Sequence, residues 1–164
     1  KIAGLKLIQS YNKQFGHKWV SLMPTNVYGA NDNFDNDDSH VLPALIRKIS
    51  TAKRNGDEEV TLWGTGEPLR EFIHAEDLAS AIVFVLEKMP IDHDLLNVGS
   101  GEEVSIRQLA TSIAKELGYQ GQIRFDSAFP DGTPRKALDN SVLGSLGWQP
   151  AISLREGLQH LLGK

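Results

Sequence analysis

His40 is the first residue whose type and place could do chemistry. It precedes Val41, Leu42, Leu45, Ile46 and Ile49, an apolar set at helical spacing, so it falls at a helix N-terminus, where the dipole favours a neutral imidazole. A base of this kind suits proton removal alpha to a carbonyl and return of a proton to the opposite face. A surface histidine beside a helix start is the plainer alternative. Pro24-Thr25-Asn26-Val27 ends a β-rich run. The carboxyl end of a strand is where doubly wound sheets bind ligands, although Pro and Asn also favour ordinary turns. Trp63, Arg70, Asp131 and Lys48 make a set suited to a nucleoside diphosphate. A guanidinium fork matches phosphate oxygens, and an ammonium is a point charge beside them. An indole offers a flat face to a base or sugar, and a carboxylate accepts from ring N–H groups or hydroxyls. Three of them have a structural alternative: Trp63 in the core, Arg70 paired with Glu67 or Glu71, Asp131 as the turn residue of Pro130-Asp131-Gly132. Arg135 and Lys136 either add positive potential or belong to a solvated turn. His74 reads as structural at a strand end, and His17, His93 and His160 read as exposed.

The elements that must carry these residues alternate. Leu5, Ile8 and Tyr11, with Leu7 beside them and Gly16 as the stop, predict a helix over 1–16. Trp19 to Met23 reads as a strand halted by Pro24. A polar loop from Ala30 to Asp38 follows, and Ser39 is placed to cap the helix that begins after His40, with Pro43 tolerated in its first turn. Val60–Trp63 and Glu71–His74 read as strands around a Gly64-Thr65-Gly66-Glu67-Pro68 turn. Asp77 opens a helix expected to turn Leu78, Ile82, Val85 and Leu86 inward. Leu95–Val98 reads as a buried strand ending at Gly99-Ser100-Gly101. A helix from about Ser105 to Leu117, a strand near 122–125, and short helices near 140–146 and 153–163 complete the chain. This alternation is α/β with parallel pairing.

The 164 residues carry 17 Lys+Arg against 21 Asp+Glu, a net charge of −4, which excludes a strongly basic nucleic-acid binder. There is no cysteine, hence no disulfide, thiolate metal site or cysteine nucleophile in this chain. No apolar run approaches the ~20 residues that span a bilayer, and a soluble, cytoplasmic protein is expected. The opening Lys1-Ile-Ala-Gly-Leu-Lys-Leu-Ile lies already inside a helical pattern with no cap ahead of it, which reads as a fragment beginning in mid-helix. Neither Gly64-Thr65-Gly66 nor Gly99-Ser100-Gly101 has the spacing of a dinucleotide-binding glycine loop.

Six stretches, in order and at fitting spacing, resemble the nucleotide-sugar branch of the extended short-chain dehydrogenase/reductase family, above all its 3,5-epimerase-4-reductases. They are Lys1-Ile-Ala-Gly, Met23-Pro-Thr-Asn-Val-Tyr-Gly, Ser39-His-Val-Leu-Pro-Ala-Leu, Trp63-Gly-Thr-Gly, Arg70-Glu-Phe-Ile-His and Pro130-Asp-Gly-Thr-Pro-Arg-Lys. The resemblance implies the C-terminal part of such an enzyme: the end of a Rossmann parallel sheet plus a smaller α/β substrate-binding lobe. Its division would be 1–26 and 71–99 in the Rossmann half, 27–70 and 100–164 in the substrate lobe. Lys1 matches the Lys of Tyr-x-x-x-Lys, whose ammonium one helical turn away favours tyrosinate; the Tyr would precede this chain. The implied catalytic residues are Lys1 and His40, the latter paired with a cysteine outside this chain. Lys1, Pro24, Thr25, Asn26, Val27 and His40 would contact NADP(H). Lys48, Trp63, Arg70 and Asp131 would contact a GDP-sugar, with Lys48 standing where some members have arginine, so that a bidentate contact becomes a point charge. The implied reaction is GDP-4-keto-6-deoxy-D-mannose to GDP-L-fucose, with this chain alone inactive, no metal, no membrane or nucleic-acid partner, and a homodimer in the full-length protein. Two other readings stay open: a different nucleotide-sugar epimerase, reductase or dehydratase, or a non-catalytic sugar-nucleotide binding module.

Overall fold

The computed structural model describes residues 1–34 and 40–163; the Ser39 cap and the loop's end, 35–38, lie outside the described residues. Parallel pairing dominates, as the alternation predicts. β1 (Ser21–Pro24) runs beside β5 (Leu95–Val98), β2 (Asn26–Tyr28) beside β4 (Leu69–His74), and β3 (Glu59–Trp63) beside β7 (Gln122–Asp126). β4 also takes β6 (Glu103–Ser105) antiparallel and β8 (Arg135–Lys136) parallel. Between β1 and β2 the chain changes partners at a single buried residue. The Thr25 N–H donates to the Val98 carbonyl (3.0 Å), while its hydroxyl donates to the Glu71 carbonyl (3.1 Å). Thr25 is thus bonded to the last residue of β5 and to β4, and a crevice opens where two strand systems part.

The helices are α1 (Ile2–Phe15), α2 (Val41–Asn55), α3 (Ala75–Lys88), α4 (Ile106–Leu117), α5 (Ser141–Ser145) and α6 (Leu154–Leu161). Two apolar clusters hold them. Ile49, Leu62, Leu109, Ile113 and Leu158 centre one, formed by α2, α4, α6 and β3. Ile73, Ala81, Val85, Leu96 and Val98 centre the other, and Leu143 and Trp148 from the last quarter of the chain join it. Each fully buried Leu or Ile contributes roughly 1.5–3 kcal/mol. α4 and α6 begin with complete capping boxes, Ser105 with Gln108 and Ser153 with Glu156, which satisfy N–H groups the first turn leaves open.

α3 departs from expectation. It begins at Ala75, not Asp77, because the His74 Nδ1 accepts from the Glu76 N–H and caps it, the structural role expected of His74. Asp77, Ala81 and Val85 face inward, whereas Ile82 is 43% and Leu86 67% exposed. The Asp77 carboxylate sets that orientation by accepting from the Ala151 and Ile152 N–H groups at 2.9 and 3.0 Å. In β5 the burial alternates, leaving Leu95 open. No residue of α1 is buried; the Asn12 amide ties it to the Trp19 carbonyl (2.7 Å) and to Asp94 (2.9 Å). Among the described residues no helix is long and apolar enough to cross a membrane, and no cluster of metal-binding side chains forms.

Candidate functional site

The crevice at Thr25 is a cavity of about 310 Å³, and His40 stands at its wall beside Thr25, Asn26, Val27 and Lys136. Each is placed by an element end. His40 is the residue before α2, and its side chain makes no cap bond, so the ring is not committed to holding the helix. Asn26 begins β2, and its amide donates to the Glu71 carbonyl at 2.7 Å, which fixes the residue beside the buried Thr25. Lys136 sits on β8, and its ammonium lies 3.4 Å from the Asn26 Oδ1. The result is an exposed imidazole, a hydroxyl-and-amide wall and an ammonium around one opening. Such a set can take up and return a proton next to a developing oxyanion.

A larger cavity of about 600 Å³ lies across the first turn of α2, lined by Val41, Leu45, Lys48, Leu62, Trp63 and Ile106. Val41 lines both cavities, so they are neighbours. Trp63, last in β3, is 64% exposed, which removes the core reading of this residue. The Lys48 ammonium lies over the indole at 4.4 Å from the ring centroid, and burial, with Arg47 beside it, lowers its pKa. Neither neighbouring acid is paired with Arg70. Glu67 pairs with Arg107, and the Glu71 carboxylate accepts from the Gly101 and Leu138 N–H groups. The Arg70 Nη1 instead donates to the Leu69 and Thr133 carbonyls, both at 2.7 Å, with Nη2 beside Gly132. Asp131 ties the same loop down from the other side, accepting from the Thr65 N–H (2.9 Å) and hydroxyl (2.6 Å). Those bonds, and the Arg70 charge after them, hold its carboxyl below the usual range. It anchors an irregular stretch of loop, and each oxygen keeps a further lone pair for a ligand.

Residues 1–99 match the model of the NAD dependent epimerase/dehydratase family. The chain belongs to that family. It is 54% identical over 159 residues to GDP-L-fucose synthase 1 of Arabidopsis thaliana, covering 96% of this chain and 49% of that one. To the GDP-L-fucose synthase of Escherichia coli (strain K12) it is 46% identical over 169 residues, covering 96% and 52%. A GDP-L-fucose synthetase from Naegleria fowleri, solved bound to NADP, superposes with a TM-score of 0.81 at 28% identity, covering 97% of this chain and 53% of that one. The chain therefore spans about half the length of the curated relatives it matches.

For this member of the epimerase/dehydratase family, the sequence-derived site divides into groups. Thr25, Asn26, Val27 and His40 come together, as do Lys48 and Trp63, while Arg70, from β4, bonds to the Thr133 carbonyl of the loop that carries Asp131. Arg70 is not among the residues that line the His40 cavity, but it is paired in register with Lys136, which does line it. Lys1 stands apart and exposed at the start of α1, where its carbonyl accepts from Leu5. Arg135 is bound to Glu103 and contributes little free charge. Sequence reasoning misses Glu71, 1% exposed, which joins β2, the 99–101 turn and residue 138 through its carbonyl and carboxylate. Its only signal is a charged residue inside an apolar strand. Sequence reasoning also misses Phe129, stacked on Trp63, for which a single aromatic in a polar loop is too little signal.

Proposed function

We propose that this chain is the C-terminal, substrate-binding part of an NADP-dependent enzyme that converts GDP-4-keto-6-deoxy-D-mannose to GDP-L-fucose. The supporting observation is the adjacency of the two cavities: an uncommitted imidazole in one, a cation and an indole in the other, with Val41 between. The distance from acid/base group to diphosphate subsite is then a fraction of one helix, as a sugar joined to a nucleoside diphosphate requires.

In this reading His40 takes or returns the protons at carbons 3 and 5, each alpha to the 4-keto group, and needs a second acid/base group from outside this chain. Arg70 and Lys48 hold the diphosphate, and Trp63 and Asp131 hold the nucleoside. The polar wall of Thr25 and Asn26 at the carboxyl end of β1 fits one end of a dinucleotide, the nicotinamide, with Pro24, Val27 and His40 around it. A bound NADPH supplies hydride to carbon 4. Lys1 would act by its positive charge on a tyrosine one helical turn before it. The longer protein would be a cytoplasmic homodimer joined through α1, which offers an unburied face for it.

The chain alone should not consume NADPH with the keto sugar, yet it should bind the nucleotide. Calorimetry with GDP, UDP and dTDP is expected to rank GDP first, and Arg70→Met to weaken GDP at least tenfold. Equal affinities, or an unaffected Arg70→Met, would overturn the substrate assignment.

A further inference from the structure

The faces of Trp63 are not left to chance. Phe129 lies on the indole with ring centroids 4.8 Å apart and planes 12° from parallel. Both rings are open to solvent, Trp63 at 64% and Phe129 at 41%, which is a poor use of two large apolar side chains unless something is to cover them. Phe129 does not line the 600 Å³ cavity, whereas Trp63 and Lys48 do. The phenyl ring therefore backs the indole from outside, and the cavity side carries the Lys48 ammonium.

The loop bearing Phe129 is tied at both ends to the turn that follows Trp63. The Phe129 N–H donates to the Asp126 carbonyl at 3.3 Å, and the Ala128 N–H to the Asp126 carboxylate at 2.9 Å. The Gly64 N–H donates to that same carbonyl at 2.9 Å. At the far end stand the bonds of Asp131 to Thr65 and of Arg70 to Thr133. Trp63 and Asp126 are register partners across β3 and β7, so both rings grow from adjoining strand ends. An exposed indole on a strand end would otherwise sample several rotamers, and a stacking partner on one side removes that freedom.

We propose that Phe129 is a positioning residue for nucleobase recognition. It fixes the Trp63 indole across the cavity mouth, where a purine stacks on the free side and takes the place of the Lys48 ammonium, which moves to the diphosphate. This rests on the nucleoside-diphosphate reading of the cavity. A base stacked on a held indole loses less freedom on binding than one that must order it, and the gain grows with ring area, so purines profit more than pyrimidines.

The test compares the unaltered chain with Phe129→Leu and Phe129→Tyr by calorimetry, using GDP, UDP and inorganic pyrophosphate as separate probes. Phe129→Leu should weaken GDP about tenfold, weaken UDP less, and leave pyrophosphate unchanged; Phe129→Tyr should retain GDP affinity. A merely structural role would move all three probes together, as would loss of folding, which thermal melting reads separately. GDP affinity unchanged in Phe129→Leu overturns the role of Phe129 alone. Absence of GDP binding by the unaltered chain overturns the reading on which it stands and this proposal with it.

Discussion

A carboxylate and a hydroxyl tie the loop that bears Phe129 to the turn that follows Trp63. Asp131 is exposed, and its low pKa comes from Thr65, first through the side-chain bond and then the backbone N–H, partly opposed by desolvation, with Arg70 adding a smaller part. A group whose pKa is depressed by folding stabilises the fold above its unfolded pKa, and that contribution disappears as pH falls through the folded value. The loop carrying Phe129 and Arg70's carbonyl partner should therefore stay anchored until pH drops below the ordinary aspartate range. Replacing Thr65 by Val removes the larger of the two bonds to Thr65 and should move the acid midpoint of loop release upward, toward the ordinary range. Trp63 fluorescence reads this, with the Trp63→Phe chain subtracting Trp19 and Trp148. An identical midpoint in both chains would show that Asp131 does not hold the loop. Glu71 belongs to the same scale. Its carboxylate satisfies two N–H groups from separate turns, so it behaves as a structural fastener beneath the Thr25 crevice, not as a reacting acid.

Elements place these residues through their ends, and the ends differ in how plainly the chain announces them. α4 starts with Ser105 accepting from the Gln108 N–H while the Gln108 side chain returns a bond to the Ser105 N–H. Ser105→Ala should cost about 1 kcal/mol, read as a lower urea midpoint with unchanged slope; a shift below a few tenths would mean the cap is redundant with β6. Such boxes are legible because they are local in sequence, as are Gly16, Gly56 and Gly118, whose φ values of 68°, 74° and 69° need glycine-like freedom. β6 and β8 were not legible, being three and two residues long, too short for a period to show. α3 misleads for the opposite reason. Leu78, Ile82, Val83, Phe84, Val85 and Leu86 surround the helix with apolar groups, so no stripe marks the inward side. A tertiary contact, Asp77 to residues 151 and 152, chooses it. The candidate site follows the same rule: His40 and the Thr25–Val27 wall were legible from strand-end and helix-start patterns, while the Phe129 stack depends on two strands lying side by side.

At the scale of the whole molecule, the two apolar clusters account for every helix except α1, whose 14 residues include none that is buried. Isolated helices of about this length are marginal in water. What holds α1 is the Asn12 side chain, a Tyr11–Trp19 stack at 5.8 Å and its αL cap at Gly16. Ile2, Leu7 and Phe15 remain open on it, and Ile82, Val83 and Leu86 remain open on α3. That pattern agrees with a chain spanning about half the length of its relatives. Local stability should therefore be uneven. In hydrogen exchange on dilute chain, the amides of α1 should exchange at close to the rates of a free peptide, whereas those of α4, with Leu109 and Ile113 fully buried, should be among the slowest. Raising the concentration separates two causes of any protection found. If a second copy covers α1, its amides become slower as sedimentation reports a dimer, while α4 does not change. If α1 is as protected as α4 in a chain that sediments as a monomer throughout, the unburied face is not a weakness of this fold, and the dimer seam proposed on α1 loses its support.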